Sequence, residues 1–550
     1  MIKDWFKSGS PWIWMTAGAV SINLLLVTGL LLLIALRGLG HFWPADIIEY
    51  HYQDKSAASI LIGEEVAEAL LPEAQARAAG HELPAGAEYL QQFLIKTGNR
   101  DILGSDFRWI QAQHITAQAM PEDLVAVERR EWGNFYGRLK ALKESGKVIA
   151  EGEQAWSLAQ EKLSKVLALH DEIDALQDGG VGAINYDLER LRLKQRALEL
   201  KNQWNESKQQ EFAAEKTRLE HDYQTIQQQL STLNSEIKRC SLVLVEAGGR
   251  EVNIPLHRTV KLTRPNAMNV FDKTVEYASN FITFVSDEPR EANTEGGIFP
   301  AIFGTVLMVL LMAILVTPLG VIAAVYLREY AKQGFVTRII RIAVNNLAGV
   351  PSIVYGVFGL GFFVYILGGN IDRLFFPEAA PAPVFGTPGL LWASLTLALL
   401  TLPVVIVATE EGLSRIPKAI REGSLALGAT KAETLWRTVL PMASPAIMTG
   451  LILAVARAAG EVAPLMLVGV VKLAPTLPLD GNFPYLHLDR KFMHLGFHIY
   501  DVGFQSPNVE AARPLVYATS LLLVMVIVGL NMFAISIRNS LREKYRALEN

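Results

Sequence analysis

The chain has almost no cysteine. Cys240 is the single one among 550 residues, so the chain cannot form a disulfide with itself or build a metal site from several thiolates. It also lacks an excess of basic charge, because 51 Lys and Arg are set against 55 Asp and Glu, and nucleic-acid-binding domains normally present a basic face. Charged residues make up only 19% of the chain, below the roughly 25% typical of soluble domains. We therefore expect neither a nucleic-acid partner nor a wholly water-soluble protein.

The apolar residues are concentrated in six long runs. Five of the runs contain no charge, and one is interrupted only by Arg457 and Glu461; the runs are 8–36, 298–327, 342–371, 379–409, 438–471 and 514–537. A helix needs about 20 apolar residues to cross a bilayer core, and each run is longer than that. The sequence therefore predicts an all-α polytopic membrane protein with six transmembrane helices. Prolines fill the start of the fourth run, so its helix is expected to begin near Gly389.

The charges around these runs predict their orientation. Lys3 and Lys7 precede the first run as in a secretion signal, but the run exceeds the about 7–15 apolar residues of a signal core, so we interpret it as a retained anchor. Six spans place both termini on one side, and the short segments there carry 15 Lys and Arg, against 5 on the other side. The positive-inside rule then predicts a multi-pass plasma-membrane protein with both termini cytoplasmic.

This orientation divides the chain into four parts. Residues 1–37 form the N-terminal tip and first span, residues 38–297 a large extracytoplasmic insertion, residues 298–540 a core of five spans, and residues 541–550 a cytoplasmic tail.

The insertion is predicted to be an α+β body with a coiled-coil hairpin at about 137–240. Apolar residues recur every three or four positions over 156–176 and again over 219–237, which is typical of two helices packed side by side. Asp178-Gly179-Gly180 is the expected turn between the two arms. Residues 47–52, 107–110 and 241–245 have strand-like patterns and are expected to form a small sheet at the base of the hairpin. Two interpretations of the insertion remain open: it docks a partner outside the membrane, or it is a passive addition with no role of its own.

A second motif lies between the fourth and fifth spans, within a cytoplasmic loop at about 410–441. Residues 422–441 predict a short helix, a glycine break at Gly428 and a second amphipathic helix that ends near Leu440-Pro441. This segment resembles the EAA loop of ABC-importer permeases. Glu422, Gly428, Leu440 and Pro441 stand at that motif's offsets, Gly423 and Ser424 replace its two alanines, and Thr438 replaces an aliphatic residue. The resemblance implies contact with an ATPase through Glu422, Gly423, Ser424, Gly428, Ala429, Thr430 and Lys431.

The same segment contains a false nucleotide-binding signal. Gly423 and Gly428 have P-loop spacing, but Ala429 and Thr430 follow where that motif has Lys and Ser or Thr, and the full motif occurs nowhere in the chain. We therefore expect a transport subunit that is not an enzyme, has no cofactor and no resident metal, and relies on a partner subunit for ATP hydrolysis.

Three further segments, 296–302, 345–356 and 452–468, resemble the PstA-type permease family of the bacterial phosphate importer. The resemblance covers 298 to about 540 together with the first span, so the chain would be a long-insert variant. It implies one membrane half of an ATP-driven importer for inorganic phosphate. The implied partners are a second permease of the same type, two copies of an ABC ATPase and an extracytoplasmic phosphate-binding protein.

Arg457 and Glu461 are the candidate transport-path charges. A lone charge at the bilayer centre costs roughly 2.5–3.5 kcal/mol on insertion scales, and spacing of four residues lets the two side chains meet on one helix face. A guanidinium matches phosphate oxygens through two parallel hydrogen bonds, while Glu461 would balance Arg457 when the path is empty. A structural ion pair is the alternative. Related permeases often carry another arginine where Val407 stands, which argues against one subunit surrounding the anion alone.

Other polar residues and other functions stay open. Asn345, Asn346 and Ser352 on the third span are further path candidates, with helix–helix hydrogen bonds as the alternative. His494 and His498 have a metal-ligand spacing, although a surface facing a solute-binding protein is favoured for 472–513. The rival functions are a permease for another oxyanion such as molybdate or sulfate, a membrane-anchored coiled-coil scaffold or sensor, and an ATP-independent carrier.

Overall fold

The computed structural model describes residues 8–53, 58–80, 87–506 and 509–546. Within them, six helices are long and apolar enough to cross a bilayer, as predicted; they are spans 1 to 6 at Ser10–Gly40, Phe299–Tyr330, Ser352–Phe375, Leu390–Arg415, Lys431–Gly460 and Ala512–Glu543. Span 4 begins directly after Gly389, its N-cap, where the prolines placed it. Lys3, Lys7 and residues 547–550 of the predicted tail lie outside the described residues.

Span 4 is the centre of the membrane body. Two thirds of its most apolar window is buried, whereas span 1 has none of its window buried in this chain. Glycines on the neighbouring spans let the backbones approach: a Cβ on Gly320 would lie 2.6 Å from Val405, and one on Gly450 2.6 Å from Ala408. Span 1 packs against span 6, with Gly38 against the backbone of Tyr517. One side of span 1 is therefore left for lipid or another protein.

Spans 3 and 5 are interrupted helices. The predicted third run starts as a separate amphipathic helix, Phe335–Leu347, and span 3 begins only at Ser352 after a break at 348–351. Pro351 explains the break, because it lacks an N–H and disfavours the helical conformation of the residue before it. Asn345 and Asn346 consequently lie on the preceding helix and not on span 3, which corrects the prediction. Span 5 ends at Gly460, and a one-turn helix, Leu465–Val468, follows.

The insertion has strands at all three predicted positions but divides them between two antiparallel sheets. The first sheet has the order β4-β3-β2-β1-β5 and consists of β1 (Ile47–Gln53), β2 (Ala58–Pro72), β3 (Tyr89–Lys96), β4 (Phe107–Gln111) and β5 (Ile115–Ala119). The second has the order β10-β9-β7-β6-β11, with β8 beside β7, and consists of β6 (Leu124–Arg129), β7 (Phe135–Glu144), β8 (Lys147–Glu151), β9 (Cys240–Val245), β10 (Glu251–Pro255) and β11 (Thr259–Thr263). The expectation of one small sheet is wrong.

Two long helical arms leave the second sheet between β8 and β9. The first arm is Gly152–Ala175, a wide turn at Leu176–Val181 and Gly182–Leu200; the return arm is Glu206–Ile237. The predicted turn at Asp178-Gly179-Gly180 is wrong, because these residues stay helical and Gly180 lets Ile226 of the return arm approach. The chain turns instead at 201–205, where Asn202 has a φ of 53° and the Asn205 side chain accepts a hydrogen bond from the Lys208 N–H.

The insertion rests on connectors of the membrane body. The Tyr186 hydroxyl of the first arm donates a hydrogen bond to the Phe483 carbonyl, and the Arg190 guanidinium lies 5.6 Å from the centre of the Phe483 ring. The same arm packs on Pro377–Ala379. These contacts involve the span 3–4 and span 5–6 connectors, so the insertion lies on the opposite end of the spans from the segment 415–435.

A helix of 17 residues, Val270–Ser286, leads from the insertion toward span 2. Shorter elements include the helices Glu73–Ala78, Arg100–Leu103, Lys418–Ala426 and Leu495–Tyr500, and the two-residue pair β12 (Pro289–Arg290) with β13 (Glu295–Gly296) just before span 2.

Candidate functional site

The interruption in span 3 satisfies its own backbone. In a continuous helix the Leu347 carbonyl would accept a hydrogen bond from the N–H of residue 351, but Pro351 has none. Two other donors bind the Leu347 carbonyl instead: the Val350 N–H at 3.2 Å and, one turn further along, the hydroxyl of Tyr355 at 2.6 Å. Tyr355 is 4% exposed and Leu347 is half-buried, so this hydrogen bond is partly buried. The sequence points to Ser352 in this segment and not to Tyr355.

The break lies at about half the depth of the membrane body. On one side of it, Val344 packs near Leu402 and Ile406 of span 4. On the other side, Gly359 contacts Thr396, nearer the start of span 4. Residues 348–351 therefore lie between these levels, close to the middle of span 4.

The interruption in span 5 lies against span 3. A Cβ on Gly356 would be 2.7 Å from the Cα of Pro464, so the backbones of the two interrupted regions touch. Ala454 and Ala458 of span 5 belong to the same buried cluster as Tyr355, and Leu347 packs on that cluster. The tertiary structure thus joins two breaks that are more than 100 residues apart in sequence.

Arg457 and Glu461 lie at this junction. Arg457 is in the last turn of span 5, and Glu461 caps the helix with an extended conformation, so the pair is not on one helix face as predicted. The two side chains still meet, with Arg457 Nε 3.6 Å from Glu461 Oε1. Arg457 is 33% exposed and Glu461 21% exposed in this chain. Both charges are therefore accessible from outside the packed core.

The other predicted path residues do not all lie beside the Arg457–Glu461 pair. Ser352 is half-buried and is the first helical residue after the break, whereas Asn345 and Asn346 are exposed on the helix before it. Val407, where related permeases often have arginine, is 39% exposed on span 4. The structure groups Ser352 with the interruption and leaves the two asparagines on a separate surface.

The segment between spans 4 and 5 forms a projecting knob, which we define as residues 418–436. Its first helix, Lys418–Ala426, is followed by Gly428 with a φ of 90°. Thr430 and Glu433 then form a reciprocal capping box that starts the next helix. That helix does not end near Leu440-Pro441 as predicted, since a wide turn at Leu435–Val439 accommodates Pro441 and the helix continues into span 5.

The outer surface of the knob is exposed. Leu427 is 91% exposed and Trp436 76%, and Glu422 and Gly423 are exposed as well. Inside the knob, the hydroxyls of Ser424 and Thr434 lie 2.9 Å apart and join the two helices. Large exposed apolar side chains on a projecting element are typical of a protein-binding surface.

The base of the knob is fixed to span 2. The Arg421 guanidinium pairs with the Glu329 carboxylate at 3.0 Å and also donates to the Leu413 carbonyl at 2.7 Å. The Lys431 ammonium donates to the Glu329 carbonyl and lies 4.5 Å from the Tyr330 ring centre. Lys431, predicted to contact an ATPase, is thus used within the chain. The knob is connected to spans 2, 4 and 5, so a displacement of the knob acts on all three.

The histidines on the insertion side have structural partners. His494 Nδ1 accepts the Gly496 N–H at 3.1 Å, and burial lowers the pKa of His494 to about 3. His487 Nε2 lies 2.9 Å from Asp480 Oδ1, and Arg490 reaches the same carboxylate at 2.6 Å. Among the residues that the structure describes, no group of three or more His, Cys, Asp or Glu could hold a metal ion.

Comparisons with known proteins match the membrane body. Residues 316–546 match the family described as binding-protein-dependent transport system inner membrane component. The phosphate transport system permease protein PstA of Mycobacterium leprae is 37% identical over 245 residues, which are 44% of this chain and 71% of the relative. A probable PstA of Methanocaldococcus jannaschii is 32% identical over 254 residues, 46% of this chain and 78% of the relative. The MetNI methionine ABC transporter, solved in inward-facing conformations, is 18% identical with a TM-score of 0.33, over 44% of this chain and 94% of that one.

Proposed function

This chain belongs to the PstA family of phosphate transport system permeases, and from that premise we propose how its parts carry out transport. It is a permease subunit of an ABC importer for inorganic phosphate and a multi-pass protein of the inner membrane. Importers of this kind work with an ATPase and a substrate-binding protein. Permease subunits themselves are not enzymes.

We propose that phosphate passes the junction of the two interrupted spans. The observation that carries this proposal is the contact of Gly356 with Pro464 beside the Arg457–Glu461 pair. In transporters, interrupted helices near the bilayer midplane commonly form the substrate site, since irregular backbone is tolerated at that depth only where it is packed against protein or lines a cavity. Both charges are partly exposed in this chain, as a path or an interface with another subunit requires.

Arg457 would bind the passing anion and Glu461 would limit its residence. The guanidinium offers a fork of N–H donors that matches two phosphate oxygens. At 3.6 Å the Arg457 Nε is paired with Glu461 but beyond ordinary hydrogen-bond length, so phosphate can compete for its donors. The carboxylate then repels the anion and favours its release. Ser352 is a further candidate because it begins the helix next to this junction.

Phosphate uptake by reconstituted importer tests this assignment. We expect Arg457→Gln to raise the half-saturating phosphate concentration about 10- to 100-fold, because charged hydrogen bonds contribute about 1.5–3 kcal/mol each. Arg373→Gln, at an exposed arginine near the end of span 3, is the matched control and should behave like the unchanged protein. Molybdate and sulfate should compete poorly with labelled phosphate; strong competition would favour the broader oxyanion permease.

A double variant separates a path from a structural ion pair. If the pair only holds span 5 in place, Arg457→Gln with Glu461→Gln leaves no unpaired charge and should restore uptake. Transport through the junction predicts that uptake stays low in the double variant, because the guanidinium is still missing. Restored uptake would refute the role proposed for Arg457.

We further propose that the knob docks onto an ABC ATPase. Its exposed Leu427 and Trp436 supply an apolar surface, and its connections to spans 2, 4 and 5 provide a route by which ATPase closure moves the spans. One such knob binds one ATPase, and a second permease of the same type would supply the other and complete the phosphate site. The knob and both termini would face the cytoplasm, and the insertion would face the phosphate-binding protein.

A further inference from the structure

The helix Val270–Ser286, which joins the insertion to span 2, has three different faces. We call it the junction helix. Its polar face binds the insertion and the chain that leaves span 1: Lys273 pairs with Asp46, Glu276 pairs with Lys261, and the Asn280 side chain donates to the Phe42 carbonyl at 3.1 Å. An Asn269–Asp272 capping box fixes where it begins.

A second face packs on the ends of the spans. Phe281 and Phe284 lie with their ring centres 5.3 Å and 5.2 Å from that of Phe42, which follows span 1 by two residues. The Phe284 carbonyl accepts a hydrogen bond from the Ile298 N–H at 2.8 Å, immediately before span 2. The junction helix is therefore held at the level where spans 1 and 2 meet the insertion.

The third face is apolar and uncovered. Val270, Phe271, Val275 and Ile282 are 75%, 74%, 55% and 64% exposed. In a helix of 3.6 residues per turn Phe271, Val275 and Ile282 lie within about 40° of one another and form one stripe, whereas Val270 is exposed at the start of the helix on another side. An apolar stripe of this size is rarely left in water by a soluble domain.

This stripe is continuous with the exposed surface of the spans. Leu39 at the end of span 1 is 42% exposed, Trp43 just beyond it 45%, and Phe299 at the start of span 2 37%. The Trp43 ring lies 6.2 Å from that of Tyr277 on the junction helix. Trp and Tyr are enriched where a membrane protein crosses the membrane–water interface, so this pair places the junction helix at the level of that interface.

We propose that the junction helix lies in the membrane interface, with Phe271, Val275 and Ile282 in contact with lipid. Interfacial helices bury an apolar face about 5–10 Å into the headgroup and acyl boundary. They usually carry a basic polar face that attracts anionic lipid, but here Lys273 and the rest of the polar face are bound to the chain itself. The helix is therefore held by apolar contact, needs no anionic lipid, and fixes the insertion to the membrane surface.

Spin labels on single cysteines in the full chain test this placement. Cys240 can be kept, because it is buried and burial raises the pKa of its thiol, and the unsubstituted chain measures any labelling there. Labels at Phe271→Cys, Val275→Cys and Ile282→Cys are compared in neutral-lipid nanodiscs for collision with oxygen and with a water-soluble nickel complex. Leu25→Cys on span 1 is the lipid reference and Gln228→Cys on the return arm the water reference.

We expect the oxygen-to-nickel ratio at positions 271, 275 and 282 to approach that of position 25. The ratio at Asp272→Cys, an exposed position at the polar edge of the same helix, should be clearly lower. Ratios equal to that of position 228 would overturn the proposal, because the stripe would lie in water. Exclusion of both reagents would overturn it as well, because a protein partner would then cover the stripe.

Discussion

Single residues decide whether an interrupted helix is stable inside a membrane. A break in a helix frees backbone groups that lipid cannot satisfy, and each such group is costly. In this chain the donor missing at Pro351 is replaced by the hydroxyl of Tyr355, which lies one turn away and is buried. The break is therefore a defined structure, in which the Val350 N–H and the Tyr355 hydroxyl oxygen both bind the Leu347 carbonyl.

Removal of that oxygen gives a direct prediction. Tyr355→Phe should lower the free energy of unfolding by about 0.5–1.5 kcal/mol, since the Leu347 carbonyl would lose the shorter of its two hydrogen bonds and keep the one from the Val350 N–H. Thermal unfolding in mild detergent measures the change. Tyr365→Phe on the same span is the control, because Tyr365 is 63% exposed. Equal melting temperatures for the two variants would contradict the role given to Tyr355.

At the scale of elements, the knob depends on one backbone conformation. Gly428 has a φ of 90°, and a Cβ there would have no neighbour within 4 Å. The glycine is thus required by its dihedral angle and not by a lack of space. The turn it makes brings Ser424 against Thr434 and sets the angle between the two knob helices.

Gly428→Ala should therefore weaken uptake without a steric clash. A left-handed conformation costs an alanine roughly 1–2 kcal/mol, so the knob is expected to populate other turns and to lose coupling to the ATPase. Phosphate uptake per ATP hydrolysed is the measurement, with membrane insertion checked by protease protection. Gly369→Ala is the control. Gly369 lies in the helix near the C-terminal end of span 3, where a Cβ would have no neighbour within 4 Å, so uptake should be unchanged. Full coupling in Gly428→Ala would contradict the role given to the left-handed turn at Gly428.

At the scale of the whole molecule, the insertion is tied to the membrane body at several points. The first arm contacts the connector between spans 3 and 4 and the one between spans 5 and 6. The Asn293 side chain, just before span 2, donates to the Lys472 carbonyl at 2.7 Å. The Lys472 ammonium in turn pairs with Asp501 at 3.0 Å. These contacts hold the insertion at a fixed position relative to the spans, as the proposed role in positioning a partner requires.

Two buried histidines between spans 5 and 6 make the stability of the folded protein sensitive to acid. Burial lowers the pKa of His494 to about 3, and burial lowers that of His498 to about 4 against the opposing charge of Asp501. An unfolded histidine titrates near 6.5, so below that pH the unfolded chain binds more protons than the folded one. Stability should be constant above about pH 6.5 and fall as the pH drops toward 4.

Melting temperatures between pH 7.5 and 4.5 measure this loss. The variant His494→Asn with His498→Gln should melt lower at pH 7.5 but show a flatter dependence on pH, since two proton-binding groups are gone. His221→Gln, on the exposed surface of the return arm, should keep the full dependence. An unchanged slope in the double variant would assign the acid sensitivity to other groups.

The sequence by itself determined the features that depend on local composition. Six spans, the helix start at Gly389, the glycine turn at Gly428 and the family resemblance all follow from residues close together in the chain, because hydropathy, proline and glycine act on their own neighbourhood. Only the tertiary structure decided the rest. It moved the hairpin turn to 201–205 because Gly180 packs on Ile226, and it divided the predicted strands between two sheets. It also brought Gly356 against Pro464 beside Arg457. Those outcomes depend on contacts between distant segments, which no local pattern encodes.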